Sequence, residues 1–170
     1  MEWYTYIIII VAIIALYFLI SLVIYFLAKK AQKKVIQEIE AVIPKERERF
    51  EMAKTFYNKM VEDGRHLPKN MIDVTNEIES LFQKVPVEIM EVKPKDDFLI
   101  MYYKKYVEEK GLKNKYPEYY AVLDKILYFD NKDPDLPYRA YNRAALKYNS
   151  TINITLFNIF TRRFPKAGVL

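Results

Sequence analysis

Glu62, Asp63 and His66 come nearest to a catalytic or metal-binding constellation. On a helix Glu62 and His66 stand at i, i+4 and Asp63 and His66 at i, i+3, the spacing that carboxylate-bridged bundles use to aim a carboxylate and an imidazole at one ion. Such a centre draws on two histidines, and the chain has one. Gly64 and Pro68 also make the segment a poor rigid platform, so His66 reads as an ordinary residue at a helix bend. Ser150 and Thr151 lack a sequence neighbour that could take a hydroxyl proton. With no Cys and only three Gly among 170 residues, thiol chemistry, disulfides, Cys-based metal sites and glycine-rich phosphate loops are excluded. The expectation is a chain that is not an enzyme, with no catalytic, cofactor or metal residue.

The remaining polar pattern suits binding. "YRAYNRAALKYN", residues 138 to 149, contains Tyr-Asn twice, at Tyr141-Asn142 and Tyr148-Asn149. Seven residues return a helical side chain to within about 20° of its starting direction, about 10.5 Å further along. With Ala145, Ile152 and Ile159 the two Tyr form a stripe expected to serve as a bundle seam, while the Asn flank it and hydrogen-bond to a partner helix. Tyr102, Tyr103, Tyr106, Tyr119 and Tyr120 exceed what one small core is expected to bury, and with Phe157, Phe160 and Phe164 they form the expected partner surface. Arg162 and Arg163 give the last group a basic rim suited to lipid or another chain. The alternating charges of "PKERERFE", residues 44 to 51, read as a solvated face. A net charge of +5 without a concentrated basic stripe sets nucleic acid aside.

Residues 7 to 28, "IIIIVAIIALYFLISLVIYFLA", position all of this. The run is uncharged and about 33 Å long as a helix, enough for a hydrocarbon core of about 30 Å. It is too long for a cleaved signal, lacks a basic leader, and reads as a retained anchor. Trp3, Tyr4 and Tyr6 flank one end and Lys29, Lys30, Lys33 and Lys34 the other, so the N-terminus is expected outside and the rest in the cytoplasm.

Beyond the anchor the chain reads as helices punctuated by proline. A juxtamembrane helix should end or kink at Pro44, and a long helix should follow with a break from Gly64 to Pro68. "VPVEIMEVKP", residues 85 to 94, reads as an extended connector, not a strand. A helix is expected from about Asp97 to Lys110, stopped by Gly111, and another from Pro117. "DNKDPDLP", residues 130 to 137, should break the chain before a last helix that runs to about Arg163. The sequons at Asn149 and Asn153 would lie within that helix and read as accidental.

"YNRAALKYN" resembles the Tyr-Asn repeat of LemA-family proteins, and "KYPEYYA", with Tyr116 and Pro117, resembles that family's Tyr-Pro element. "RHLPKNMIDV", with Pro68 and Asn70, is a weaker match in which Lys69 is an extra residue. "DNKDPDLP" and the tail "FTRRFPKAGVL" depart from the pattern, so the resemblance is to a diverged member over roughly residues 1 to 165. It implies an anchored antiparallel helical bundle in a prokaryotic or prokaryote-associated envelope.

The expected fold is therefore all-α: one N-terminal transmembrane helix (1–28), a juxtamembrane helix or linker (29–49), an antiparallel bundle of about four helices (50–164) and a tail (165–170). The expected function is a scaffold or adaptor that tethers proteins at the membrane surface, its partners being the bilayer, envelope proteins and a second copy of the chain. The alternative is a lipid-binding module acting through the juxtamembrane Lys and the aromatic-basic C-terminus.

Overall fold

The computed structural model describes residues 3–127, 137–154 and 157–170. Among them every regular element is a helix: α1 (Trp3–Glu62), α2 (Lys69–Gln83), α3 (Ile89–Glu109), α4 (Pro117–Leu127) and α5 (Pro137–Ile152). The chain divides into two compact units, one from residues 1–38 with 140–169 and the other from 39–139 with Leu170. These cut the sequence differently from the expected boundaries at 28, 49 and 164. The expected break over 130–136 lies outside the described residues, while Pro137 opens α5, where a missing amide hydrogen costs nothing.

In the unit of residues 39–139, Phe50, Phe56 and Met60 of α1 are buried with Met71 and Ile78 of α2, Leu99, Ile100 and Tyr103 of α3, and Leu123 and Ile126 of α4. Each such side chain contributes about 1.5–3 kcal/mol on leaving water. α2 packs on α3, and α3 on α4. Phe56 gathers the rings of Tyr103, Tyr116 and Tyr119, each centroid 5.9 Å away.

Two glycines end helices here. Gly64 (φ 70°) lets the amide of Arg65 reach the carbonyl of Met60 and its own amide reach Val61, closing α1 in a Schellman turn. Gly111 (φ 62°) does the same for α3 and drives Leu112 into the core.

Three expected boundaries are corrected. Pro44 lies inside α1, and Pro94 lies inside α3, which starts at Ile89 and not near Asp97. An interior proline costs about 3 kcal/mol. Both helices bury long stripes that outweigh it: Val42, Phe50, Ala53, Phe56 and Met60 in α1, and Ile89, Val92, Leu99, Tyr103 and Val107 in α3. α5 ends at Ile152, not near Arg163. "TINIT", residues 151 to 155, is β-branched or Asn throughout, a composition that gives up helix readily. Ile159 thus lies outside α5 and is exposed.

The unit of residues 1–38 and 140–169 is built on the first part of α1, on α5 and on the chain after it. Among residues 7 to 28 of α1 only Ser21, Ile24 and Ala28 are buried, at three- and four-residue steps. The rest of the run presents Ile, Val, Leu and Phe outward, with Ile8 63 % and Phe26 61 % exposed.

Candidate membrane interface

α1 is long and apolar enough to cross a membrane. Trp3, Tyr4 and Tyr6 are exposed at its start, as are Lys29, Lys30, Lys33 and Lys34 beyond the apolar run.

Along that run lies the C-terminal segment. Ile152, the last residue of α5, clusters with Ala28 and Tyr148. Phe157 then stacks on Tyr17 with ring centroids 5.3 Å apart. Phe160 meets Phe18 at 6.4 Å and Tyr25 at 6.3 Å, and Phe164 meets Tyr25 at 5.8 Å, with the Lys29 ammonium 5.1 Å over its ring. From Ala28 to Tyr17 is about 16 Å of helix. The chain therefore descends along the apolar run and climbs back. Amides in this stretch are used locally: Thr161 and Arg162 donate to the carbonyl of Asn158 at 3.0 and 2.8 Å, and Phe164 donates to Thr161 at 2.9 Å. Ile159 and Phe160 face outward, as the neighbouring side chains of α1 do.

The two Tyr-Asn pairs secure the end of that climb. The Tyr148 hydroxyl donates to the carbonyl of Pro165 at 2.9 Å, and the Tyr141 hydroxyl donates to that of Gly168 at 2.9 Å. Asn149 meets Ala167 twice: its amide donates to the carbonyl at 2.8 Å and its oxygen accepts the backbone N–H at 2.9 Å. Three residues of extended chain cover about 10 Å, close to the 10.5 Å by which seven residues advance a helix. The heptad spacing thus fits an extended strap, and the partner of Asn149 is backbone, not the neighbouring helix expected for it. Asn142 is half-buried. Burial raises the pKa of both phenols, so they remain donors.

A groove of about 500 Å³ opens where the apolar run ends. Lys30, Lys33 and Lys34 of α1 and Lys147 of α5 line it above Ala31 and Ala144, with Leu27 at the apolar end. None of these four Lys pairs with an acid among the described residues.

The other unit holds a buried ionic cluster that the sequence reading did not identify. Arg49 lies 3.3 Å from Glu46, 3.3 Å from Asp96 and 2.6 Å from Asp97, and its Nε donates to the carbonyl of Ile126 at 3.2 Å. Tyr138 donates to Glu46, and the Lys93 ammonium sits 4.9 Å from the Tyr138 ring centroid. Burial pushes Asp96 well above the usual carboxylate range and raises Glu46, while the surrounding acids hold Arg49 charged against its own burial. Both oxygens of Asp96 lack a hydrogen-bond partner among the described residues. A signal was present: Val42, Glu46, Arg49, Ala53 and Phe56 share one stripe, so the run read as solvated turns Glu46 and Arg49 inward and Lys45 and Glu48 outward.

The remaining candidates scatter. Of the expected surface tyrosines, Tyr103 is buried and hydrogen-bonded to Thr75 at 3.0 Å, so it is not available to a partner. Tyr106 donates to the carbonyl of His66, Tyr120 donates to Glu108, and Tyr102 and Tyr119 are half-buried. Tyr116 is buried and donates to Asp63 at 2.6 Å, and Pro117 opens α4. That bond, first among several, holds the Asp63 carboxyl below its ordinary range. Pro68 precedes α2, where Asn70 accepts the amide of Met71 at 3.1 Å. No group of three or more potential metal ligands occurs among the described residues.

No protein-family model matches the chain, and no curated protein or solved structure matches it.

Proposed function

We propose that the chain is a single-span membrane protein that works by binding at the bilayer surface, with residues 1–38 and 140–169 as the lipid-engaging part and residues 39–139 as a helical domain, read as an antiparallel bundle, held beside the membrane. The observation that carries this is the C-terminal segment folded along the apolar run, with Ile159 and Phe160 among its outward residues. In this reading Phe157 and Phe160 enter the leaflet on the Lys side, Arg162 and Arg163 reach its headgroups, and that side faces the cytoplasm by charge asymmetry. The LemA resemblance belongs to the same proposal and rests on the Tyr-Asn and Tyr-Pro elements.

Trp3 is the one tryptophan, so Trp3→Phe supplies a silent background for a depth measurement. Tryptophan placed in turn at 157, 160 and 164 in vesicle-reconstituted protein should be quenched by acyl-chain-brominated lipid in that order, deepest first. Three tryptophans quenched only by aqueous iodide would defeat the reading.

A protein-adaptor role is the second reading. It is favoured by Phe98 and Met101, 51 % and 59 % exposed one turn apart on α3, with Phe98 stacked on Tyr102 at 5.8 Å. Phe98→Ser with Met101→Ser should abolish a captured partner's binding while leaving the protein in the membrane.

A further inference from the structure

The lysine groove has the chemistry of a site for an anionic amphiphile. On α1, Lys30 and Lys33 or Lys34 stand one turn apart and share a face, and Leu27 lies one turn before Lys30. On α5, Ala144, Lys147 and Thr151 occupy the facing stripe. Ala31 and Ala144 are too small to fill the space between the two helices, which leaves the groove open. Its volume falls within the range of small-molecule sites.

Its charge is unusual for a protein surface. Four lysines line one concavity and none pairs with an acid among the described residues, so an anion there meets several ammonium donors at once. Across residues 1–38 and 140–169 the acids are Glu2 and Glu38, against nine Lys and Arg. Such a cluster suits an anion that accepts several N–H bonds, as a phosphate does. The groove is also continuous with Leu27, the next-to-last residue of the uncharged run. A phosphate there has apolar surface directly beside it, where a lipid keeps its acyl chains.

We infer that this groove binds the phosphate headgroup of an anionic phospholipid, with Lys30, Lys33, Lys34 and Lys147 on the phosphate and Leu27, Ala31 and Ala144 against the glycerol and upper acyl chain. The inference rests on the membrane reading above and specifies its lipid.

The test uses the full chain extracted in mild detergent from membranes containing phosphatidylglycerol and phosphatidylcholine, with retained lipid counted by native mass spectrometry. Wild type should retain one phosphatidylglycerol in preference to phosphatidylcholine. Lys33→Gln with Lys147→Gln should weaken that retention on the order of tenfold or more. Lys69→Gln with Lys110→Gln removes the same charge from exposed positions in residues 39–139 and should leave retention within about twofold of wild type. Equal loss in both double variants would reduce the effect to general surface charge and overturn the site. Displacement of the lipid by millimolar inorganic phosphate would overturn the lipid assignment in favour of free phosphate. Resistance to carbonate washing, measured on the same preparations, separates this result from the membrane reading. Both double variants should resist as wild type does. A wild type that washes off overturns the proposed function and this site with it, whereas a resistant wild type without phosphatidylglycerol preference overturns the site alone.

Discussion

Residues 1–38 and 140–169 carry nine Lys and Arg against two acids, a side-chain charge of +7, while residues 39–139 carry eighteen against twenty, or −2. In the second unit many of the cations are engaged internally. Lys54 pairs with Glu79, Lys95 with Glu77, Lys104 with Asp124, Lys115 with Asp63, and Arg49 with three acids. In the first, the groove lysines face outward from small or apolar neighbours. The same residue type serves closure in one unit and, by the inference above, recognition in the other, and overall composition hides this because it reports only the sum, +5.

Arg49→Ala is the sharpest way to break the contrast. It strands Glu46 and Asp96 in the core and should cost about 3–5 kcal/mol in chemical unfolding followed by circular dichroism. A cost under about 1 kcal/mol would mean that the cluster is hydrated and that the two units differ less than described. On the other side, Tyr148→Ala removes a buried ring and should cost about 3–5 kcal/mol, whereas Tyr148→Phe removes only the bond to Pro165 and should cost about 1 kcal/mol. Equal melting temperatures for the two variants would place the ring outside the packing.

How much of this was legible in the sequence depends on what each element uses to hold itself. The long apolar helix near the N-terminus, the stops at Gly64 and Gly111 and the start at Pro117 are written in side-chain type, and reading them required only hydropathy and backbone rules. The strap is not. Tyr141, Tyr148 and Asn149 grip backbone atoms of residues 165 to 168, which any residue would offer, and a period of seven fits a helix seam as well as an extended strand. The buried cluster escaped because charge alternation outweighed the apolar phase set by Val42, Ala53 and Phe56. Pro44 and Pro94 misled for the opposite reason, as single residues weighed above the stripes that override them.

Asn149→Ala sharpens the strap directly. It should cost about 1–3 kcal/mol and speed exchange of the Ala167 amide. Unchanged exchange there would show the strap held by Tyr141 and Tyr148 alone.

The smallest effect is in pH. Burial holds protons on Asp96 and Glu46 that the unfolded chain releases near pH 4, so the fold takes up protons and loses this contribution as pH rises above that range through the raised values. The charges facing Asp96 are Arg49 and Glu46 from α1 and Asp97 from α3. Asp96→Asn should flatten stability between pH 4 and neutrality relative to wild type. Asp63, lowered, acts below that window. Parallel pH profiles for the two proteins would show Asp96 ionised throughout.

Because residues 1–38 and 140–169 make one unit around an insert of residues 39–139, the ribosome must deliver the whole insert before the apolar helix meets its mate. At about 5–20 residues per second that wait lasts roughly 5–20 s. Meanwhile Ser21, which ends up buried, has its hydroxyl already donated to the carbonyl of Tyr17 at 2.9 Å. In the membrane reading proposed above, the helix can therefore sit alone in oil without a stranded donor until translation brings its cover.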